Sequence, residues 1–364
     1  MRILFYALTE NQGGIENFIF NYFFWMKKEN IHLTLFAMGS KAVYEEEFQN
    51  MGAEIIHLPP KKNRLLFYKY MDNKVRSGNF DVVWFNDNNL CDIHLLKAAK
   101  KYNVPIRICH AHNSAMEKNK LKLFRHQWHS RSIEKYATDL WTCSDKAARW
   151  AYGRLWESRN VKEIPNAVDV EKFCYTEEKR ACARRKLGVG DQLAIGHVGR
   201  FCEAKNHKFL LDIYSYIVTL CPDSVLILIG QGELREMIEQ DIMARGLVSK
   251  VKLLGQREDV AEIIQGFDVM VMPSLFEGFP VAVVEAQAAG VPCVLSDTVT
   301  RKVDISDTVV YISLEKKAKE WAEEILSAAA HVDRDAMSEK VLRSAYNIKK
   351  AARSLEEWFE RRDK

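Results

Sequence analysis

Val269-Met-Val-Met-Pro273-Ser-Leu-Phe-Glu277-Gly278-Phe279-Pro280-Val-Ala-Val-Val-Glu285-Ala-Gln-Ala-Ala-Gly290-Val-Pro292-Cys-Val-Leu295 is the stretch on which the fold turns. Its opening tract, Val269–Met272, reads as a buried strand. Gly278 and Pro280 make a turn, and Pro280 suits the first helical position because its fixed φ and missing N–H cost nothing there. Val281–Ala289 reads as a short helix that Gly290 stops, with Pro292 beyond it. Pro292–Leu295 is strand-like again. Two glutamates stand out. Glu277 falls at the strand-to-helix turn, where free N–H groups and the helix dipole favour anions. Glu285 falls about a turn and a half into an otherwise apolar helix, where an unpaired carboxylate is costly. A ligand rich in hydroxyls would satisfy both.

The same alternation of apolar runs and amphipathic stretches extends in both directions, which is the signature of parallel sheets covered on both faces. Upstream strands are expected at Arg2–Ala7, His32–Ala37, Glu54–Leu58, Asp81–Asn86, Ile106–His110, Asp139–Cys143 and Val161–Ile164. Helices such as Glu16–Lys28 and Leu90–Lys101 fill the gaps. A second series runs Leu193–Val198, Ser224–Gly230, Lys250–Leu254, Val269–Met272, Pro292–Leu295 and Thr308–Ile312. The expected class is therefore α/β, with two Rossmann-like domains in tandem. The boundaries are placed at residues 1–168 and 169–345, with 346–364 a final helix long enough to cross back to the first domain. Open α/β sheets bind ligands beyond the carboxyl ends of their strands. Two such domains facing each other would put every strand-end motif on one cleft.

The chain has 364 residues, 48% of them hydrophobic, enough for two ordinary domains. No apolar stretch reaches the roughly 18–20 residues of a membrane span. A secretory signal is not recognisable either, so a cytoplasmic protein is expected. The eight cysteines form no C-x-x-C pair, and several fall in strand-like runs, which fits reduced buried residues better than disulfides or a zinc site. Residues 1–168 carry 25 Lys and Arg against 17 Asp and Glu, while the remainder is net acidic. A basic front half argues for an anionic partner there.

The strand ends carry the candidate chemistry. Gly13-Gly14 follows the first strand and opens a helix. It is either a tight turn or a close backbone approach to phosphate, and it is not a G-x-G-x-x-G dinucleotide fingerprint. Arg200 and Lys205, five residues apart after Val198, could clamp a diphosphate, one as a planar fork and one as a point charge. His110-Ala-His112 ends the fifth strand. Without a nearby carboxylate or third histidine it reads as hydrogen-bonding rather than metal-ligating. Asp87-Asn-Asn89 is only loosely D-x-D, so no metal site is expected. Ser144-Asp145 reads as a helix cap, Gly230-Gln-Gly232 as a turn, and Asn166 and Asp169 as crossover residues. The stretch 118–135 holds six Lys or Arg and one acid, with Leu121, Phe124 and Trp128 at roughly helical spacing. It is either an interfacial helix on anionic lipid or a solvated helix with a core-facing stripe. Nucleic acid is a weaker third reading, because no binding module is recognisable.

Together these motifs resemble the GT-B glycosyltransferases, and specifically glycosyltransferase family 4. The carriers are Glu277-x7-Glu285 within Glu-Gly-Phe-Pro…Glu-Ala-x-Ala-Ala-Gly-x-Pro, the Gly13-Gly14 loop, Gly196-His-Val-Gly-Arg200 with Lys205-Asn206, and Pro165-Asn166-x-x-Asp169. Arg107–Asn113 and Cys143-Ser-Asp-Lys-Ala-Ala resemble the branch that builds capsular and exopolysaccharide repeats. Ala167 departs from the pattern, since glycine is common there.

The resemblance implies that Arg200 and Lys205 bind a donor diphosphate, helped by backbone N–H groups at Gly14 and Gly278–Phe279. Glu285 would take the ribose hydroxyls and Glu277 those of the transferred sugar. His110, with His112 in reserve, would be the histidine near that sugar. No cofactor or metal is implied, and anomeric configuration would be retained. The expected activity is transfer of a hexose or N-acetylhexosamine from a nucleotide diphosphate sugar, UDP-linked, to a lipid-linked saccharide at the inner membrane face. A GT-B sugar-nucleotide epimerase, or a non-catalytic membrane or nucleic-acid adaptor using 118–135, are the alternatives.

Overall fold

The structure is a computed structural model that describes every residue except Gln12, 27–30, Asn88, 113–118, 159–160, His331 and 363–364, and omits the side chains of Ala7 and Asp87. Several expectations touch those positions. Lys27 and Lys28 at the end of the first helix, Asn88 in the Asp87 motif, Asn113 after His112, and Lys118 lie outside the described residues.

The first half runs β1 (Arg2–Leu8), α1 (Gly14–Trp25), β2 (His32–Met38), α2 (Glu45–Asn50), β3 (Glu54–Leu58), α3 (Arg64–Ser77) and β4 (Val82–Asp87). It continues with α4 (His94–Lys101), β5 (Ile106–Ala111), α5 (Lys120–Ser130), β6 (Asp139–Thr142), α6 (Asp145–Tyr152), α7 (Leu155–Ser158) and β7 (Lys162–Glu163). The second half runs α8 (Val170–Phe173), α9 (Glu177–Leu187), β8 (Leu193–Val198), α10 (His207–Leu220), β9 (Ser224–Ile229), α11 (Arg235–Ala244) and β10 (Val251–Gly255). Then come α12 (Val260–Ile264), β11 (Val269–Met272), α13 (Val281–Ala288), β12 (Cys293–Ser296), β13 (Val310–Ile312), α14 (Ala318–Ala330), α15 (Arg334–Arg343) and α16 (Ile348–Arg362).

The strands form two parallel sheets, ordered β3-β2-β1-β4-β5-β6-β7 and β10-β9-β8-β11-β12-β13. In both, the chain moves outward from a central strand and then reverses, so each sheet has a switch point, beside β1 and beside β8 respectively. Strand β9 is buried at all six positions, as a strand covered on both faces must be. Hydrophobic residues of α3, α4 and α6 cover one face of the first sheet, and those of α1 and α16 the other. The chain divides into two compact units, 1–167 with 348–364 and 168–347.

The elements match the sequence pattern to within a few residues, and the deviations have local causes. Pro280 is the N-cap of α13 rather than its first helical residue, with φ −77 and ψ 94. Gly290 follows the helix at φ +65, and a Cβ there would lie 2.6 Å from that of Arg334, so the stop depends on glycine twice over. The helix expected from Leu90 begins only at His94, because the backbone of Leu90 is hydrogen-bonded to two histidines of α5.

Candidate active site

In the second unit, two strand-end loops are fastened to each other. The chain leaves β8 through Gly199 and makes a 3-10 turn at Glu203–Lys205. It then enters α10 through Asn206 in the left-handed region at φ 55. The loop after β11 lies alongside. Leu275 N–H donates to the Ala204 carbonyl at 2.8 Å, and Asn206 Nδ2 donates to the Pro273 carbonyl at 3.1 Å. Lys205 Nζ then meets Glu277 Oε1 at 2.7 Å, and Ser274 Oγ donates to the same oxygen at 2.6 Å. The side chains of Lys205 and Glu277 are only 16% and 12% exposed. Ser274 is fixed in turn, since Ser296 Oγ and Thr298 Oγ1 both donate to its carbonyl. Glu277 Oε1 is thus fully engaged, while Oε2 has no hydrogen-bond partner among the described residues.

A third loop supports the first. Gly199 N–H donates to the Ile229 carbonyl, Phe201 N–H to that of Gln231, and Leu234 N–H to that of Phe201. Gly230 has φ +142, and a Cβ there would stand 2.0 Å from the Gly199 oxygen. Gly230-Gln-Gly232 is therefore the seat on which the Lys205 loop rests. Beneath it lie His197 and His207. His197 Nδ1–H donates to the Val271 carbonyl at 2.9 Å, which leaves its Nε2 as a buried acceptor. Burial pushes the His207 imidazole down to about 4 and holds His197 well below its ordinary range, so both are neutral supports.

Arg200 is placed differently. Its guanidinium is 72% exposed and pairs with Glu233 at 3.0 Å, not with Glu277. At Gly278 and at Gly14 an added Cβ would meet nothing within 4 Å, so both glycines border open space rather than a packed wall. Phe279 stacks on Tyr346, centroids 5.0 Å apart, and fixes the turn into α13.

Glu285 sits in the middle of α13 with buried Val283, Val284, Ala286, Gln287 and Ala288 around it. Burial raises its carboxyl to about 7, partly offset by the positive charge of Lys172. No hydrogen bond reaches this carboxylate among the described residues. Gln287, two residues on, is the contrast. Its Oε1 accepts from Ile305 N–H, Ser306 N–H and Ser306 Oγ, and its Nε2 donates to the Val303 carbonyl. One polar side chain of α13 is saturated by the protein, and the other is not.

In the first unit, Gly13 caps α1 in an extended conformation without a side-chain bond, leaving first-turn amides unengaged by a cap. His110 near the end of β5 and His112 just beyond it lie on the same side of the chain, with ring centroids 4.0 Å apart. His110 is buried, and its Nδ1 accepts from Trp84 Nε1 at 3.3 Å. His112 is half-buried beyond the strand end and donates from Nε2 to Asn86 Oδ1 at 2.7 Å. Burial lowers His112 to about 3 and His110 well below 6.5, so both imidazoles are neutral. Arg107 spends its guanidinium on the carbonyls of Tyr136 and Val104, and Ser144 caps α6 through Ala147 N–H.

Residues 12–172 match the family described as Glycosyltransferase Family 4, and residues 192–331 match Glycosyl transferases group 1. The chain is 34% identical over 341 residues to the putative glycosyltransferase EpsF of Bacillus subtilis (strain 168), covering 90% of this chain and 88% of that one. The chain belongs to glycosyltransferase family 4. It is also 31% identical over 207 residues to an Escherichia coli UDP-Gal:alpha-D-GlcNAc-diphosphoundecaprenol alpha-1,3-galactosyltransferase, spanning 55% of this chain and 54% of that one. Among solved structures, Anabaena Alr3699/HepE in complex with UDP superposes with a TM-score of 0.80 at 18% identity, over 99% of this chain and 100% of that one. The two parallel-sheet units are those of the GT-B fold.

Several residues that build this glycosyltransferase's site carried little signal. Ser274 stands three residues before Glu277, and its hydroxyl reaches that carboxylate within the loop after β11, a contact no helical or strand period announces. The seat at Gly230 was not readable either, because its partner Gly199 is 31 residues away. His197 and His207 have no periodicity to betray them. Among the described residues, no three His, Cys, Asp or Glu side chains cluster as a metal site would require.

Proposed function

We propose that this glycosyltransferase moves a hexose or N-acetylhexosamine from a UDP-sugar to a lipid-linked saccharide, retaining anomeric configuration and using no metal, in surface-polysaccharide assembly. The observation that carries the reading is the half-buried Lys205–Glu277 pair, built by two fastened strand-end loops next to a helix that holds the unsatisfied Glu285. Breaking the bond between the anomeric carbon and the diphosphate oxygen leaves positive charge on the sugar and negative charge on the phosphate. In this reading Lys205 stabilises the departing oxygen, assisted by N–H groups at Gly278 and Phe279. Arg200 joins by turning from Glu233. Glu277 Oε2 takes sugar hydroxyls and Glu285 the ribose pair. The acceptor hydroxyl forms the new bond on the face the diphosphate leaves, and its proton passes to the leaving group. In the first unit, the Gly13-Gly14 turn offers amides to phosphate. A neutral imidazole offers a hydrogen bond to the sugar, and the greater exposure of His112 favours it over His110.

The name of the Escherichia coli relative supports the lipid-linked acceptor, and the UDP complex of the structural neighbour supports the base. Among the described residues, no helix is long and apolar enough to cross a membrane. A cytoplasmic protein that meets the inner membrane face through 118–135 fits this role. Thermal stability and hydrolysis measured against UDP-, GDP-, ADP- and dTDP-sugars test the reading. A UDP-sugar should stabilise the protein and be consumed. Lys205→Ala and Glu285→Ala should stay folded and lose transfer, and full activity in either would remove the diphosphate or ribose assignment.

A further inference from the structure

Helix α5 is amphipathic the wrong way round. Its apolar residues Leu121, Phe124 and Trp128 are 70%, 62% and 63% exposed, while the inward face is held by histidines. Leu90 N–H donates to His126 Nδ1, and His129 Nδ1–H donates to the Leu90 carbonyl at 2.6 Å. His126 Nε2–H donates to the Trp150 carbonyl, and its ring stacks on that indole. Two bonds to one backbone residue and one stack fix the helix with its apolar stripe outward. The core-facing stripe considered from sequence is thereby excluded.

Next to α5 lies the first turn of α3, where Leu65 and Leu66 are also exposed. Between the two helices is an open recess of about 430 Å³, walled by Arg64, Tyr68, Lys97, Phe124, Arg125 and Trp128. Arg64, Lys97 and Arg125 have no carboxylate partner among the described residues. The acid of the wall, Asp92, is already taken by the Tyr68 hydroxyl at 2.6 Å and Lys61 at 3.3 Å. The wall of the recess therefore presents cations without carboxylate partners beside Phe124 and Trp128, and the exposed Leu65, Leu66 and Leu121 belong to the same two helices. It lies at the entries of α3 and α4, which in a parallel sheet is the carboxyl edge, where ligands bind.

We propose that this recess holds the diphosphate of a polyprenyl-diphosphate-linked acceptor, with Leu65, Leu66, Leu121, Phe124 and Trp128 resting in the bilayer surface around it. The proposal deepens the lipid-linked acceptor reading and depends on it. Guanidinium forks recognise phosphate oxygens, and tryptophan and cationic side chains settle at the lipid interface. The exposed apolar side chains commit the phosphate to a lipid source, since a free diphosphate needs none.

The full chain should be measured for binding to phosphatidylcholine vesicles carrying undecaprenyl diphosphate or, at matched charge, phosphatidylglycerol. The diphosphate vesicles should bind at least about tenfold more tightly, as charge-assisted bidentate contacts imply. An Arg64→Ser/Arg125→Ser variant should lose that preference, and Leu121→Ser/Trp128→Ser should weaken binding to both vesicles. Equal binding to both vesicles, or a preference surviving in the arginine variant, overturns the proposal. Full competition by inorganic diphosphate at the lipid's concentration would overturn the lipid source. Sugar-nucleotide stabilisation of the same variants reads the donor site separately, so a failure there counts against the glycosyltransfer reading and not against the recess.

Discussion

Replacing Glu285 by glutamine should stabilise the protein while weakening its grip on nucleotide sugar. The carboxyl rises from an ordinary 4.5 to about 7 because α13 buries it without a hydrogen-bond donor. That rise is worth about 3 kcal/mol between the two protonation states at full burial, and about 1–3 kcal/mol once partial solvent access is allowed for. The sign follows from proton counting. Between 4.5 and 7 the folded protein holds a proton on Glu285 that the unfolded chain has lost, so this group's contribution falls as pH rises and is fully unfavourable above 7. Glu285→Gln removes the penalty. It should therefore melt higher at pH 8, by on the order of 5 °C, and match the unaltered protein near pH 4.5.

Ligand binding should run the other way. UDP-glucose is a suitable probe, because its diphosphate is esterified at both ends and lacks the second ionisation near pH 6 of a phosphate monoester. If ribose hydroxyls donate to the ionised carboxylate, as proposed, binding should release a proton and weaken by up to about tenfold for each pH unit below 7. Calorimetry in buffers of different ionisation enthalpy reads both quantities. The glutamine variant should bind about tenfold or more weakly and lose the pH dependence. A variant less stable than the unaltered protein at pH 8 would show that the protein itself satisfies the carboxylate. An affinity flat from pH 5 to 8 would remove Glu285 from the ribose.

Lys205→Ala should lower kcat by about 10²-fold or more, and Arg200→Ala by less, because Lys205 is already fixed and Arg200 must be recruited from solvent; steady-state kinetics with a UDP-sugar compares them. Gly230→Ala should destabilise by about 3 kcal/mol or more in urea unfolding, since both its φ of +142 and the 2.0 Å approach to the Gly199 oxygen forbid a side chain. Gln287→Leu should cost about 2–4 kcal/mol by the same measurement, with Ile305 and Ser306 N–H groups left buried and unpaired. Burial holds His126 and His129 below 6.5, so stability they contribute is present above 6.5 and lost as pH falls through their folded values. Hydrogen exchange of α5 amides, corrected for intrinsic rate, should accelerate on acidification through that window while α6 amides stay protected.

What was legible in the sequence was whatever repeats with a short period. Apolar runs marked each strand, since a strand buried on both faces has no polar face to interrupt it, as in Ser224–Ile229. The turn chemistry of Gly278, Pro280 and Gly290 marked α13. What was not legible depends on direction or on distance along the chain. Helical spacing showed that Leu121, Phe124 and Trp128 share a face, but only the bonds from His126 and His129 to Leu90 decide which way it points. The sequence likewise put His110 and His112 together at the end of the fifth strand. Depth separates them, because the strand continues past His110 under Trp84 and ends before His112.

The Lys205–Glu277 pair need not break for a donor to bind. An ammonium has three donors, and Glu277 engages one of them, so a phosphate oxygen can be met by another. The carboxylate is equally divided, with Oε1 occupied by Lys205 and Ser274 and Oε2 left for a hydroxyl. Folding has therefore already met the entropy of ordering two flexible side chains, through Ala204–Leu275, Asn206–Pro273 and the seat at Gly230. Fixed charges of this kind stabilise a leaving group without reorganising as charge develops. Arg200, exposed and paired with Glu233, would offer a stronger fork in the proposed role but would lose its freedom on each binding event. On the proposed reading, one fixed and one mobile cation would give the donor a place to arrive before it is fully clamped.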